Sequence, residues 1–189
     1  DRNGDFVGGR LAPDGKPFSI QGRPYLEALR DSPHADTLVS GPYLGRSNNR
    51  WSIVFVRRLN APDGSFAGVV LTGYAVERLA EAFNALELNK SDAIVIRSAA
   101  KAVIASFPAS FPLKIDTADP PPAFVEALAR SPDQGFVARS GTETPDGANR
   151  LFAYNRTPTF GFYVIVSSRV DQVFADFHRQ AQVLGVGVL

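Results

Sequence analysis

The segment Tyr25-Leu-Glu-Ala-Leu-Arg-Asp-Ser-Pro33 returns 99 residues later as Phe124-Val-Glu-Ala-Leu-Ala-Arg-Ser-Pro132. A fixed offset limits the chain to folds that can be built twice. Glu27, Ala28, Leu29, Ser32 and Pro33 recur as Glu126, Ala127, Leu128, Ser131 and Pro132. Both segments predict a short helix that stops ahead of the proline, which disfavours the helical state in the residue before it. The same offset lays residues 38–40 on 137–139 and residues 51–58 on 150–157.

The order of elements repeats as well. Asn3-Gly4 predicts a strand-turn-strand at the start of the chain. A helix at 24–31 follows, then strands near 37–41, 51–59 and 66–74, the second rich in Ile, Val and Phe. The second half reads as strands at 93–98 and 101–106, a helix at 122–130, and strands at 135–140, 149–156 and 161–168. Asp146-Gly147 marks a turn in that last group. The expected class is α+β: two tandem subdomains over 1–90 and 91–169, each an antiparallel sheet of about five strands with an inserted helix. Val76, Leu79, Ala80, Phe83 and Leu86 keep helical spacing and predict a connecting helix over 76–90.

Composition narrows the function classes. The 189 residues hold 20 Lys+Arg against 19 Asp+Glu, so no global field draws in a nucleic-acid backbone. Cysteine is absent, which excludes a disulfide framework, a thiolate metal site and a Cys nucleophile. The two histidines, His34 and His178, are 144 residues apart with no carboxylate cluster at either, so no metal site is expected. There is no G-x-S-x-G elbow, P-loop or G-x-G-x-x-G fingerprint, and no paired carboxylates at a common element end. The chain is not expected to be an enzyme, and no cofactor is implied.

Methionine is also absent and the first residue is Asp1, which predicts a piece of a longer chain. At the other end, Val170, Phe174, Phe177, Ala181, Leu184 and Val188 step by 4, 3, 4, 3 and 4, the spacing of an a/d seam. Two alternatives stand for it: an amphipathic helix packed on its own sheet, or a dimer helix that enters a membrane. Residues 181–189 carry no charge and are too short to span, but they read as the first half of a span. The expectation over 170–189 is a C-terminal helix entering a transmembrane segment.

One stretch points to binding. From Thr37 to Pro62 there is no Asp or Glu, yet Arg46, Arg50, Arg57 and Arg58 fall there, with Arg23 ahead of them. Guanidinium groups suit carboxylate or phosphate. Tyr25, Tyr43, Trp51 and Phe55 are interleaved, so a pocket for a small anion is one reading. The other is that Arg57 and Arg58 end a strand in solvent and Trp51 is core.

The run Gly22-Arg-Pro-Tyr-Leu, then Val39-Ser-Gly-Pro-Tyr-Leu-Gly-Arg46, Arg50-Trp-Ser-Ile-Val-Phe-Val-Arg-Arg-Leu and Asp63-Gly-Ser-Phe-Ala-Gly-Val-Val resembles the double Cache (PDC-type) sensor domains. These are extracytoplasmic input modules of bacterial histidine kinases, diguanylate cyclases and chemoreceptors. The resemblance implies two PAS-like subdomains on a long N-terminal helix that would lie before Asp1. It also implies a periplasmic location, membrane anchoring, a possible homodimer through the terminal helices, and a cytoplasmic kinase or cyclase elsewhere in the full protein. The ligand belongs in the membrane-distal subdomain, with signalling through the C-terminal helix. In the amino-acid-binding subgroup the Arg of an Arg-x-Trp-Tyr motif takes the ligand carboxylate, and Arg23-Pro-Tyr25-Leu26 looks like its counterpart. A Tyr-x-Asp and a later Asp hold the ammonium there; here those positions read Tyr43-Leu-Gly45 and Ala75, and the Asp before the motif Arg is Gly22.

Burying an ammonium with no anionic partner is costly. The expected ligand is therefore a small carboxylate without an amine, held by Arg23, Tyr25, Ser40, Tyr43, Arg46, Trp51 and Ile53. The alternative is a dimerisation or partner-docking module with no ligand of its own.

Overall fold

Two short helices, each opened by a proline and laid on an antiparallel sheet, organise the chain. The computed structural model describes residues 1–9, 17–33, 37–83, 86, 88–108, 110, 111 and 113–175. The elements are α1 (Pro24–Asp31), β1 (Thr37–Leu44), β2 (Trp51–Asn60), β3 (Phe66–Ala75), α2 (Val76–Phe83), β4 (Ala93–Arg97), β5 (Val103–Phe107), α3 (Pro122–Arg130), β6 (Gln134–Arg139), β7 (Arg150–Arg156) and β8 (Tyr163–Arg169). The chain divides into two compact units, Asp1–Leu79 and Ala80–Leu189. Added to α1, β1, β2 and β3, the 99-residue offset lands on α3, β6, β7 and β8, so the repeat in the sequence is a repeat in space.

In the first unit the sheet order is β1-β2-β3, antiparallel throughout. Among the described residues this sheet has three strands, where about five are expected. The N-terminal strand-turn-strand is replaced by a turn in which the Asp1 carboxylate accepts from the Asn3 and Asp5 amides, both at 2.9 Å. An isolated bridge, Asp5 to Ser19, joins that segment to the next, with the Phe6 and Phe18 rings 5.2 Å apart beside it. Gly4 is held at φ +92°, and a Cβ there would lie 2.8 Å from Leu26 Cδ2, so the turn packs on α1 only as glycine.

Helix α1 forms because Pro24 presets the first helical turn while Tyr25, Leu26 and Leu29 share one face. These three are buried against Val54 and Val56 of β2. Even-numbered residues of β2 thus face the helix and odd-numbered ones face away. The C-terminal carbonyls of α1 need donors. Arg58, a buried residue, supplies them: its Nη1 donates to the Leu29 carbonyl and to the Arg30 carbonyl at 2.7 Å. It therefore does not end its strand in solvent, whereas Arg57 is exposed.

The second unit has sheet order β5-β4-β8-β7-β6, the five strands expected. Helix α3 buries Phe124, Ala127 and Leu128 in a core with Val95, Val103, Tyr154 and Ile165. Here a tyrosine closes the helix: the buried Tyr154 hydroxyl reaches the carbonyls of Ala127 (3.0 Å) and Ser131 (2.7 Å). Gly135 opposite it leaves room, since a Cβ there would come within 2.6 Å of that hydroxyl. The connecting helix ends at Phe83, short of the expected 90, and Asn89 to Asp92 turns into β4 with the Asp92 carboxylate accepting from the Asn89 amide. Residues 170–175 are helical, so Val170 and Phe174 of the heptad seam are placed on a helix. The remaining seam positions, the uncharged segment 181–189, His34 and His178 lie outside the described residues. Among the described residues no helix is long and apolar enough to cross a membrane.

Replacing Tyr154 by Phe removes the one hydroxyl proton shared by the Ala127 and Ser131 carbonyls, the first of which keeps the Ser131 amide as a donor. Urea denaturation of Tyr154→Phe is expected to show a loss of about 1–2 kcal/mol. An unchanged midpoint would mean that those carbonyls are satisfied some other way.

Candidate functional site

The N-terminal end of α1 and a bulge in β1 build the site. An unbroken strand would point Ser40 and Tyr43 to opposite faces. The register shifts between these two residues, and the inserted residue brings both to the α1 face. Ser40 Oγ and the Tyr43 hydroxyl are then 2.8 Å apart. Gly41 makes the bulge possible: its φ is +129°, and a Cβ there would sit 3.0 Å from the Ser52 carbonyl oxygen.

Tyr25, 4% exposed, packs its ring 5.4 Å from that of Tyr43. Arg23, the N-cap residue of α1, lies over the Tyr43 ring at 5.2 Å and donates from Nη2 to the Leu44 carbonyl at 2.6 Å. Arg46 donates from Nη1 to the carbonyls of Ser19 (2.8 Å) and Gln21 (2.9 Å). Five of the seven expected residues (Arg23, Tyr25, Ser40, Tyr43 and Arg46) are thus brought to one corner of the first unit. Burial pushes the Tyr25 phenol above its ordinary range of 10.0, against the charges of Arg23 and Arg46, which pull it down.

Trp51 and Ile53 do not join them. Ser52 pairs with Tyr43 and faces α1, so the pleat sends Trp51 and Ile53 to the opposite side of the sheet. Ile53 is buried there and Trp51 half-buried. Arg50 is exposed in the β1–β2 connection. Arg58 was not foreseen in its structural role; its only sequence signal is an arginine at an α1-facing position of an otherwise apolar strand.

The chemistry of the corner is one-sided. A guanidinium carries five N–H donors, and those of Arg23 and Arg46 beyond the bonds described suit an anion. Among the described residues neither forms an ion pair. Tyr43, Ser52 and Ala75 form one row across the sheet on the α1 face, which places the methyl of Ala75 two strands from Tyr43. Position 45 admits no side chain without rearrangement, because a Cβ on Gly45 would meet Asn48 Oδ1 at 2.2 Å and the Arg50 carbonyl oxygen at 3.2 Å. Among the described residues no group of three or more metal-ligating side chains exists.

The bulge gives a direct test. Gly41→Ala forces a side chain into a left-handed backbone and against Ser52. It is expected to cost about 1–3 kcal/mol in urea denaturation. Gly8→Ala, with nothing within 4 Å of its Cβ, is expected to change stability little. Equal effects at both positions would contradict the account of the bulge.

No family model matches the chain, and no curated protein matches it. Solved structures do. The extracellular domain of rpHK1S-Z16, a protein assigned as a histidine kinase, superposes with a TM-score of 0.76 at 24% identity over 91% of this chain and 69% of that one. The ligand-binding domain of the Pseudomonas aeruginosa PAO1 chemoreceptor PctB, in complex with L-Arg, gives 0.63 at 15% identity over 93% and 65%. The ligand-binding domain of Mlp24 with asparagine gives 0.57 at 17% identity over 89% and 63%. The chain thus spans about two thirds of the length of these neighbours. Its fold is that of the double Cache, or PDC-type, extracellular sensor domains.

Proposed function

We propose that this chain is the extracytoplasmic ligand-sensing region of a membrane-bound bacterial receptor, and that its first unit binds a small carboxylate lacking an amine. The observation that carries the reading is the corner of Arg23, Arg46, Tyr25, Tyr43 and Ser40, rich in donors and, among the described residues, without an ion pair to a carboxylate. Arg23 takes one carboxylate, with Tyr25 and Tyr43 flanking it and Arg46 beside it. PctB and Mlp24 are described with amino acids bound. Among the described residues Ala75 and Gly45 offer an ammonium no counter-charge, so an α-amino group is rejected by its desolvation cost. The two units correspond to membrane-distal and membrane-proximal subdomains. The helix that begins at Val170 carries the signal toward the membrane, limited by the ligand's difference in affinity between the two receptor states. A histidine kinase, diguanylate cyclase or chemoreceptor output belongs to the full-length protein in this reading, and the terminal helices pair in a homodimer.

The second reading, a docking or dimerisation module without a ligand, draws on the outer face of the first sheet. Leu44, Leu59, Val70 and Tyr74 are exposed there.

Matched pairs that differ only in the ammonium separate the outcomes. Calorimetric titration with succinate and aspartate, and with glutarate and glutamate, is expected to show each acid binding about 100-fold or more tighter than its amino partner. Arg23→Gln is expected to weaken succinate binding by about 10- to 100-fold. Amino acids binding as tightly as the acids would contradict the proposal, and heat from neither would favour the docking reading.

A further inference from the structure

Among the described residues of the second unit, two buried arginines close no ion pair. Arg97 ends the apolar strand β4 and is 4% exposed; Arg139 ends β6 and is 8% exposed. Both lie on the α3 face of the sheet, since Arg97 pairs with Tyr163 and Arg139 with Arg150, in line with the core residues of β7 and β8. Among the described residues neither meets a carboxylate within 4.0 Å. Asp119 acts on Arg97, and Glu143 on Arg139, only at longer range. Arg97 donates to the Lys101 carbonyl, and Arg139 donates from Nη2 to the Glu143 carbonyl while lying 5.5 Å from the Phe152 ring centre. Among the described residues the buried Arg139 Nε–H has no acceptor.

Both arginines line one cavity of about 50 Å³ whose other walls include Val95, Phe111, Leu113, Phe124 and Ile165. An unmatched charge and an unmade hydrogen bond beside an apolar hollow are costly features, which a protein normally removes. Bare arginines are not the rule in this unit. Arg150, at the neighbouring cleft of about 690 Å³, is neutralised by Asp146 at 2.7 Å.

We propose that the second unit holds its own anion site, in which a short-chain monocarboxylate of the size of acetate or propionate seats its carboxylate on Arg139 Nε–H and its alkyl end against the apolar walls. The size follows from the volume. A water needs roughly 10–15 Å³ of such space, so the cavity takes about three to five non-hydrogen atoms. The charge type follows from the walls. Phosphate brings four oxygens and no apolar part, so it would leave acceptors facing hydrocarbon. Arg97 supplies the second positive charge of the same hollow. The site is independent of the first unit's ligand.

The test uses the intact 189-residue chain with sodium acetate, propionate and phosphate, chloride serving as the salt control. The guanidinium Nε–H resonance of Arg139, assigned by its loss in Arg139→Gln, is expected to move on adding propionate and to stay put with phosphate. Propionate is expected to raise the melting temperature, Arg139→Gln to weaken that effect about 10- to 100-fold, and Arg23→Gln to leave it intact. A shift that vanishes in Arg23→Gln but survives in Arg139→Gln would place the acid in the first unit and overturn the inference. So would an Arg139 resonance that responds to none of the acids, or to phosphate alone. The response is read in the unmutated chain, and Arg139→Lys, which lacks a guanidinium but keeps the charge, gives the assignment should Arg139→Gln fold poorly.

Discussion

A helix laid flat on a sheet must find donors for the carbonyls at its C-terminal end, and each half of this chain meets that demand with one side chain from the sheet's second repeat strand. In the first unit the donor is Arg58, in the second Tyr154. Each fixes one end of an otherwise marginal helix of eight or nine residues. With its C-terminal end closed, α1 has its N-terminal end set by the burial of Tyr25, Leu26 and Leu29. The N-cap residue, Arg23, is thereby carried to the edge of β1, where Leu44 accepts its hydrogen bond and Tyr43 lies beneath it. The position of the candidate ligand anchor thus follows from a helix-closure problem several residues away.

Electrostatic imbalance is the property the two units share. Charges in a folded protein are usually matched where they are buried, as Arg150 is by Asp146. The Asp146 carboxyl is held below its ordinary value by that bond, and its stabilising contribution is present above about 3.8 and lost as the pH falls further. The buried Arg97 and Arg139 of the second unit lack such partners among the described residues, as do the half-buried Arg23 and the exposed Arg46 of the first. A fold that leaves cations unmatched at the same face of both its halves is suited to receive anions there.

Much of this was legible in the sequence. The repeat survives in residues that build the fold, the apolar face and closing prolines of α1 and α3, so it foretold the elements within a few residues. What depended on backbone irregularity did not show. Gly41-Pro42 reads as a strand end, yet the strand runs on to Leu44 through a bulge. That single inserted residue decides which of Ser40, Tyr43, Trp51 and Ile53 share a face, and it puts the last two on the other side. The turn at the start of the chain is a local effect too, because the Asp1 carboxylate folds the Asn3-Gly4 segment onto itself. Arg97 and Arg139 are single residues on different strands, 42 positions apart. No local pattern connects them, and only the packing of the second sheet brings them to one cavity.

The most direct measurement is a crystal structure of the chain grown with succinate. The account predicts a carboxylate within hydrogen-bonding distance of Arg23, flanked by Tyr25 and Tyr43 beneath the first helix. Succinate bound away from Arg23, with the space beside Tyr25 filled by the protein's own side chains, would contradict it.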